Sequence, residues 1–238
     1  MIIVPDVHGR DFWKEAVKGR ESEEIVFLGD YVDPYTGRED ITSEEAIVSL
    51  LEIIAFKKAH LDNVTLLLGN HDLNYIASGL VITRHSYQDH NLIHVFFDEN
   101  FELFDIAHEK HINGMRYLFT HAGLLPGWLK QQEDAFGSIE PGKEVETLNR
   151  LLHSNSLFQA LDDVSRHRGG CCEAGSIVWA DVNEHIDNEH NPDDGTLANT
   201  FQIFGHTLME NPLITDTFAC IDCCRAFVLD DNGQLNPI

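Results

Sequence analysis

Carboxylate, imidazole and amide side chains recur in five short motifs, each at the end of an apolar run. They read Asp6-Val7-His8-Gly9, Gly29-Asp30-Tyr31-Val32-Asp33, Gly69-Asn70-His71-Asp72, His121-Ala122-Gly123 and Gly205-His206-Thr207. These are ligand types for divalent cations. Two such ions roughly 3.5–4 Å apart activate a water and clamp a phosphoryl group during in-line displacement. Asp6, His8, Asp30, Asn70, His121 and His206 offer two carboxylates, three imidazoles and one amide. Set against two divalent ions, that inventory stays net positive and suits an anionic substrate. Asp6 and His8 stand two apart, so in a strand-like stretch they point to the same side. His71, beside Asn70, need not be a ligand. A histidine there can protonate a leaving oxygen, with Asp33 orienting it and raising its pKa.

Those side chains must be positioned by the apolar runs before them, at 2–4, 25–28, 64–68, 117–119 and 203–204. Short apolar runs closed by glycine or polar residues read as buried strands, and ligands sit beyond the carboxyl ends of such strands. Five strand ends are therefore expected to converge on one pocket. Asp11 is expected to cap a helix over 12–18. Thr42 and Glu45 have the form of a capping box, opening a helix to about His60 with Ala46, Ile47, Leu50, Leu51 and Ile54 on one face. Strand, helix, strand, helix, strand is the order of an α/β unit. Helices or loops are expected over 73–113, which carries Arg84, His85, Tyr87, His90 and His94. A single helix is expected over 144–164 and a solvated loop over the acidic stretch 181–194. Strands at 202–204, 218–221 and 226–229 suggest a second, mostly antiparallel sheet packed on the first.

The whole chain narrows the class. At 238 residues, without a linker or repeat, it reads as a single domain over 1–238. A formal net charge of −24 argues against a duplex nucleic-acid partner and against an anionic membrane surface. No apolar stretch approaches the roughly 20 residues of a membrane helix, and the chain opens on a strand rather than a basic leader. Cys171, Cys172, Cys220, Cys223 and Cys224 form a poor disulfide framework and suit a reducing compartment, so a cytoplasmic location is expected. Trp128 and Trp179 read as core or pocket wall. The remaining histidines, His85, His90, His94 and His185 among them, read as surface or loop residues.

With these motifs in order, the chain resembles the calcineurin-like metallophosphoesterases, and within them the phosphoprotein-phosphatase branch. That branch carries Asp-x-His-Gly, Gly-Asp-x-Val-Asp-Arg-Gly, Gly-Asn-His-Glu/Asp, His-(Ala/Gly)-Gly and Gly-His-Thr. Its bacterial members include small protein phosphatases and symmetrical dinucleoside tetraphosphate hydrolases. The resemblance is carried by residues 1–123 and 203–229, with elaborations at about 73–113 and 124–200. It implies a two-sheet α/β sandwich of α/β/β/α layers, with a dinuclear metal site at the strand ends. Asp6, His8 and Asp30 would hold one ion. Asp30, Asn70, His121 and His206 would hold the other, with Asp30 bridging. His71 would be the general acid and Asp33 its partner. The ions implied are Mn²⁺, or a mixed Fe/Zn pair. Ile221-Asp222-Cys223-Cys224 resembles the branch's Ile-Asp-Thr-Gly segment.

One departure bears on substrate. The branch's Asp-Arg-Gly is Asp33-Pro34-Tyr35 here, and the missing arginine ordinarily grips phosphate bidentately. Arg38, Arg84, Arg168 or Arg225 can substitute, and Arg84 is preferred; Arg84, Arg38 and Asn70 are the candidate substrate contacts. The reaction expected is hydrolysis of a phosphomonoester, on a phosphoprotein or small molecule, by direct attack of a metal-bound hydroxide. Two alternatives stand. The segment from His121 to Trp128 resembles dinucleoside polyphosphate hydrolases, and the lost arginine is compatible with a weakly catalytic metal-binding scaffold.

Overall fold

The computed structural model describes residues 1–35, 37–77, 83–191, 195 and 197–238. Its strands in chain order are β1 (Ile2–Val4), β2 (Ile25–Phe27), β3 (Val64–Leu67), β4 (Phe104–Asp105), β5 (Ala107–Ile112), β6 (Met115–Thr120), β7 (Thr200–Phe204), β8 (Leu213–Ile214), β9 (Phe218–Cys220), β10 (Phe227–Leu229) and β11 (Leu235–Pro237). Its helices are α1 (Phe12–Val17), α2 (Ser43–Ala59), α3 (Asn70–Ile76), α4 (His90–Glu99), α5 (Pro126–Gln131), α6 (Glu133–Phe136), α7 (Glu144–His153), α8 (Phe158–Leu161) and α9 (Val182–His190). The chain divides into two compact units, one of Met1–Asp105 with Cys224–Ile238, the other of Ile106–Cys223. The result is a mixed α/β fold with two sheets, one in each unit.

The first unit is built on a sheet of order β11-β10-β1-β2-β3-β4. Strands β1 to β4 run parallel; β10 pairs antiparallel with β1, and β11 closes that edge antiparallel to β10. Every residue of β1 and β2 is fully buried. That explains their unbroken apolar runs, since a parallel strand covered on both faces has no solvated side to alternate with. Each such Ile, Val or Phe side chain contributes roughly 1.5–3 kcal/mol by leaving water. Helix α2 starts with the expected capping box, Glu45 N donating to Thr42 Oγ1 and Thr42 N to Glu45 Oε2. Its buried face differs slightly from expectation. Ile53 and Ser49 are inside, whereas Leu51 is exposed. Asp11 precedes α1 as expected but makes no side-chain cap bond.

The second unit has a sheet of order β5-β6-β7-β9-β8. Its centre is parallel, β6 with β7 and β7 with β9; only the flanking β5 and β8 pair antiparallel. The expected mostly antiparallel sheet is therefore corrected. Strand β10, expected within it, belongs to the first sheet. The single helix expected over 144–164 is two, α7 and α8. Asn155 adopts a left-handed backbone (φ 59°) between Ser154 and Ser156 and ends the first. The stretch 181–191, expected as a loop, holds α9 behind a second capping box. Asp181 Oδ1 accepts from Asn183 N and Glu184 Oε2 from Asp181 N. The end of that acidic stretch, 192–194, lies outside the described residues, as does 78–82 within 73–113. Among the described residues no helix is long and apolar enough to cross a membrane.

Candidate metal centre

In the first unit the chain leaves β1, β2 and β3 through three loops held together by backbone bonds. Val7 N and His8 N both donate to Asp30 O, at 3.1 and 2.7 Å, and Gly9 N donates to Tyr31 O at 3.0 Å. Asp72, from the first turn of α3, ties the other two loops. Its carboxylate accepts from Asp30 N (2.8 Å), Tyr31 N (3.0 Å) and Gly69 N (2.8 Å). A Cβ on Gly69 would collide with the Asp30 carboxylate, so glycine is required there. His8, Asp30 and Asp33 all adopt left-handed backbone, with φ of 46°, 53° and 60°. Such conformations cost non-glycine residues energy and collect at functional sites.

These loops bring His8, Asp30 and His71 together, with ligating atoms within 4.8 Å of one another and all three side chains buried. His8 Nδ1 lies 2.7 Å from Val32 O. A carbonyl can only accept, so the proton sits on Nδ1 and Nε2 presents its lone pair, 3.5 Å from Asp30 Oδ2. Asp30 Oδ1 accepts the His71 N–H at 2.9 Å. Burial, and then the charge of Asp6, push the Asp30 carboxyl well above its usual range. Burial, and then His71, hold His8 well below its own. Two buried acids beside the neutral His8 imidazole favour a cation, so this donor set fits a divalent ion. Asp6 is buried two residues beyond β1, and Asn70 is buried as the first residue of α3.

The expected pairing of His71 with Asp33 is present, Nδ1 donating to Oδ2 at 2.9 Å. Its Nε2 is 2.9 Å from Thr83 Oγ1. Burial raises the Asp33 carboxyl to about 6, against the Tyr75 hydroxyl, which donates to Oδ1 at 2.5 Å. Arg84 Nη2 donates to Asp33 O at 3.3 Å, and Arg84 lies over the Tyr35 ring. Arg38 is exposed, 6.0 Å from the same ring. Sequence reasoning missed Asp72, Tyr75 and Thr83. Only Asp72 carried a signal, as the fourth residue of Gly69-Asn70-His71-Asp72.

In the second unit His121 follows β6 and His206 follows β7, neighbouring parallel strands. Both are buried, and His121 Nε2 stands 3.1 Å from His206 Nδ1. Gly205 N donates to His121 O at 2.8 Å, fixing the two turns. His206 has φ 65°. Trp179 is buried and stands edge-on to its ring at 5.7 Å, and Trp128 is core. Arg168 pairs with Asp181 at 2.7 Å and donates to Thr207 Oγ1.

His185 departs from expectation, being buried rather than a surface residue. Its Nε2 lies 3.1 Å from Ala122 O, and burial lowers its pKa from 6.5 to about 4. The unfolded chain therefore binds the proton more readily than the folded one. Stability is complete above about pH 6.5 and falls as pH drops towards 4. At pH 5 this residue should cost about 2 kcal/mol relative to pH 7.5. Urea denaturation at the two pH values should show that loss, and His185→Phe should flatten it. An unchanged slope in the variant would assign the loss to other groups.

A two-sheet α/β fold with buried carboxylate–imidazole and imidazole–imidazole groups at strand ends is an arrangement that suits metal-dependent phosphoesterases. The sequence profile of the calcineurin-like phosphoesterases matches residues 2–208, and the chain belongs to that family. Among curated proteins none matches. Among solved structures, the cold-active protein-tyrosine phosphatase of a psychrophilic Shewanella species aligns with TM-score 0.57 at 14% identity, over 99% of this chain and 79% of its own. A second structure named for a cold-active protein tyrosine phosphatase aligns with TM-score 0.57 at 14% identity, over 99% and 77%. A protein serine/threonine phosphatase from Saccharomyces cerevisiae aligns with TM-score 0.49 at 17% identity, over 92% and 65%.

Proposed function

We propose that the chain is a phosphomonoesterase in which Asp6, His8, Asp30, Asn70, His121 and His206 are the ligands of two divalent ions. Mn²⁺ suits this mixed oxygen and nitrogen set, as does a mixed Fe/Zn pair. The observation that carries the reading is the buried His8–Asp30–His71 group, in which His71 is already engaged by Asp33. The chemistry that divalent ions supply to such a site is activation of a water nucleophile and neutralisation of charge on the phosphoryl oxygens. The chain's own residues do the rest. Val32 O fixes the His8 tautomer, and Asp33 orients His71 so that Nε2 can deliver a proton to the leaving oxygen. Arg84, with Asn70, takes the phosphoryl oxygens. The substrate is a phosphorylated protein or small molecule.

Manganese-dependent turnover of para-nitrophenyl phosphate, above that of its bis-ester, is the supporting result. Preference for the bis-ester would overturn the monoester reading. Metal binding with turnover of neither would favour a scaffold. For dinucleoside polyphosphates, Trp128 offers no stacking face to a base. It is fully buried, with Nε1 donating to Asp163 at 3.1 Å.

The acid role makes a separate prediction. His71→Asn should lower kcat about 10²- to 10³-fold on an alkyl phosphate, whose leaving group needs a proton. On para-nitrophenyl phosphate, whose leaving group does not, the loss should be much smaller. Equal losses on both substrates would remove His71 from that role.

A further inference from the structure

We propose that Tyr35 is the platform that positions Arg84 to grip the substrate phosphoryl group, in place of an arginine at position 34. The inference rests on the phosphomonoesterase reading and deepens it. Pro34 has neither a side-chain donor nor an N–H, so the segment after Asp33 offers a phosphate nothing at that position. The residue after it is aromatic, and the Arg84 guanidinium carbon lies 3.7 Å from its ring centroid. Two planar groups that close can only lie face to face. Such stacking leaves the N–H edge of the guanidinium able to bond in its own plane.

Three contacts set where that edge stands. Arg84 Nη2 donates to Asp33 O at 3.3 Å. Thr83, its neighbour, places Oγ1 2.9 Å from His71 Nε2. The Tyr35 ring itself meets His8 edge-on at 4.9 Å and 78°. Arg84 is thus anchored to residues touching His8 and His71, yet its side chain is exposed and open to a ligand. Arg10 also lies near the ring, at 5.3 Å, but it is buried, donating to Glu39 Oε1 and Asp6 O. Arg38 is at 6.0 Å. Arg84 is the cation that the ring holds.

The test uses the full chain loaded with Mn²⁺, with two readouts: KM and kcat on para-nitrophenyl phosphate, and calorimetric binding of inorganic phosphate. Arg84→Ala should raise KM and the phosphate Kd about tenfold or more, with a smaller change in kcat. Tyr35→Leu should raise both about fivefold, and Tyr35→Phe, which keeps the ring, should stay within about twofold of wild type. In the double variant Tyr35→Leu with Arg84→Ala, the effect should equal that of Arg84→Ala alone, because Tyr35 acts through Arg84. Additive effects, or a Tyr35→Phe variant as weak as Tyr35→Leu, would overturn the proposal. Arg84→Lys keeps the charge but cannot stack flat, so it should resemble Tyr35→Leu. Wild-type phosphate binding in Arg84→Lys would refute the platform even if Tyr35→Leu failed to fold. Absence of turnover on any phosphate ester by the wild-type protein would instead overturn the phosphomonoesterase reading, and this inference with it.

Discussion

Asp30→Asn is expected to lower manganese-dependent hydrolysis of para-nitrophenyl phosphate by about 10³-fold or more. Asparagine has the same shape, and its side-chain oxygen can still accept the His71 N–H that Asp30 Oδ1 accepts at 2.9 Å. What it loses is the negative charge, at the one position proposed to serve both ions. The fold should therefore survive, and a melting temperature within a few degrees of wild type would show that the loss is chemical. Near-normal turnover in a folded Asp30→Asn variant would end the two-metal reading.

Asp72→Ala is expected to have the largest effect on stability, about 3–5 kcal/mol. The Asp72 carboxylate is fully buried and accepts three backbone N–H groups, those of Asp30, Tyr31 and Gly69. Alanine would strand all three donors away from water. The same bonds hold Asp30 in its left-handed backbone, so activity should fall with stability. Asp72→Asn should lie between, since its amide presents one acceptor and, on the other side, hydrogens facing hydrogens. Urea denaturation measures both variants. A loss below about 1 kcal/mol for Asp72→Ala would mean that the loops close without it.

How far this was legible in sequence depends on whether the signal is local. Strands β1, β2 and β3 are legible because a strand buried on both faces must be apolar throughout, and the motifs after them stand where their carboxyl ends leave the sheet. The capping box of α2 is legible because both partners lie within four residues. The equivalent box at Asp181 and Glu184 sits in so acidic a stretch that it reads as solvated, although Glu184 is buried and also accepts from Gly175 N at 3.0 Å. The parallel pairing of β6 with β7 is not legible, because Tyr117 meets Phe201 across more than eighty residues of chain and no short-range pattern encodes that choice. The five motifs stand on strands of two sheets, three on the first and two on the second. Asp72 is visible as the fourth residue of its motif, but its role as the tie between loops is not, for another reason. Its partners are backbone N–H groups, which every residue but proline carries and which leave no mark in a sequence.

The discontinuity of the first unit bears on how the chain is made. Residues 106–223 are contiguous and can complete their own sheet as they emerge. The first sheet cannot, because β1 waits for Ile2 to meet Val228 and for Leu229 to donate to Met1 O. Throughout synthesis of the intervening residues, a fully apolar strand edge stays unpaired on the nascent chain. Open edges of that kind recruit other strands, so this is the stage at which chaperones and aggregation compete for the protein. Ile2 and Ile3 are thus made long before Val228 and Phe227, the residues they pair with.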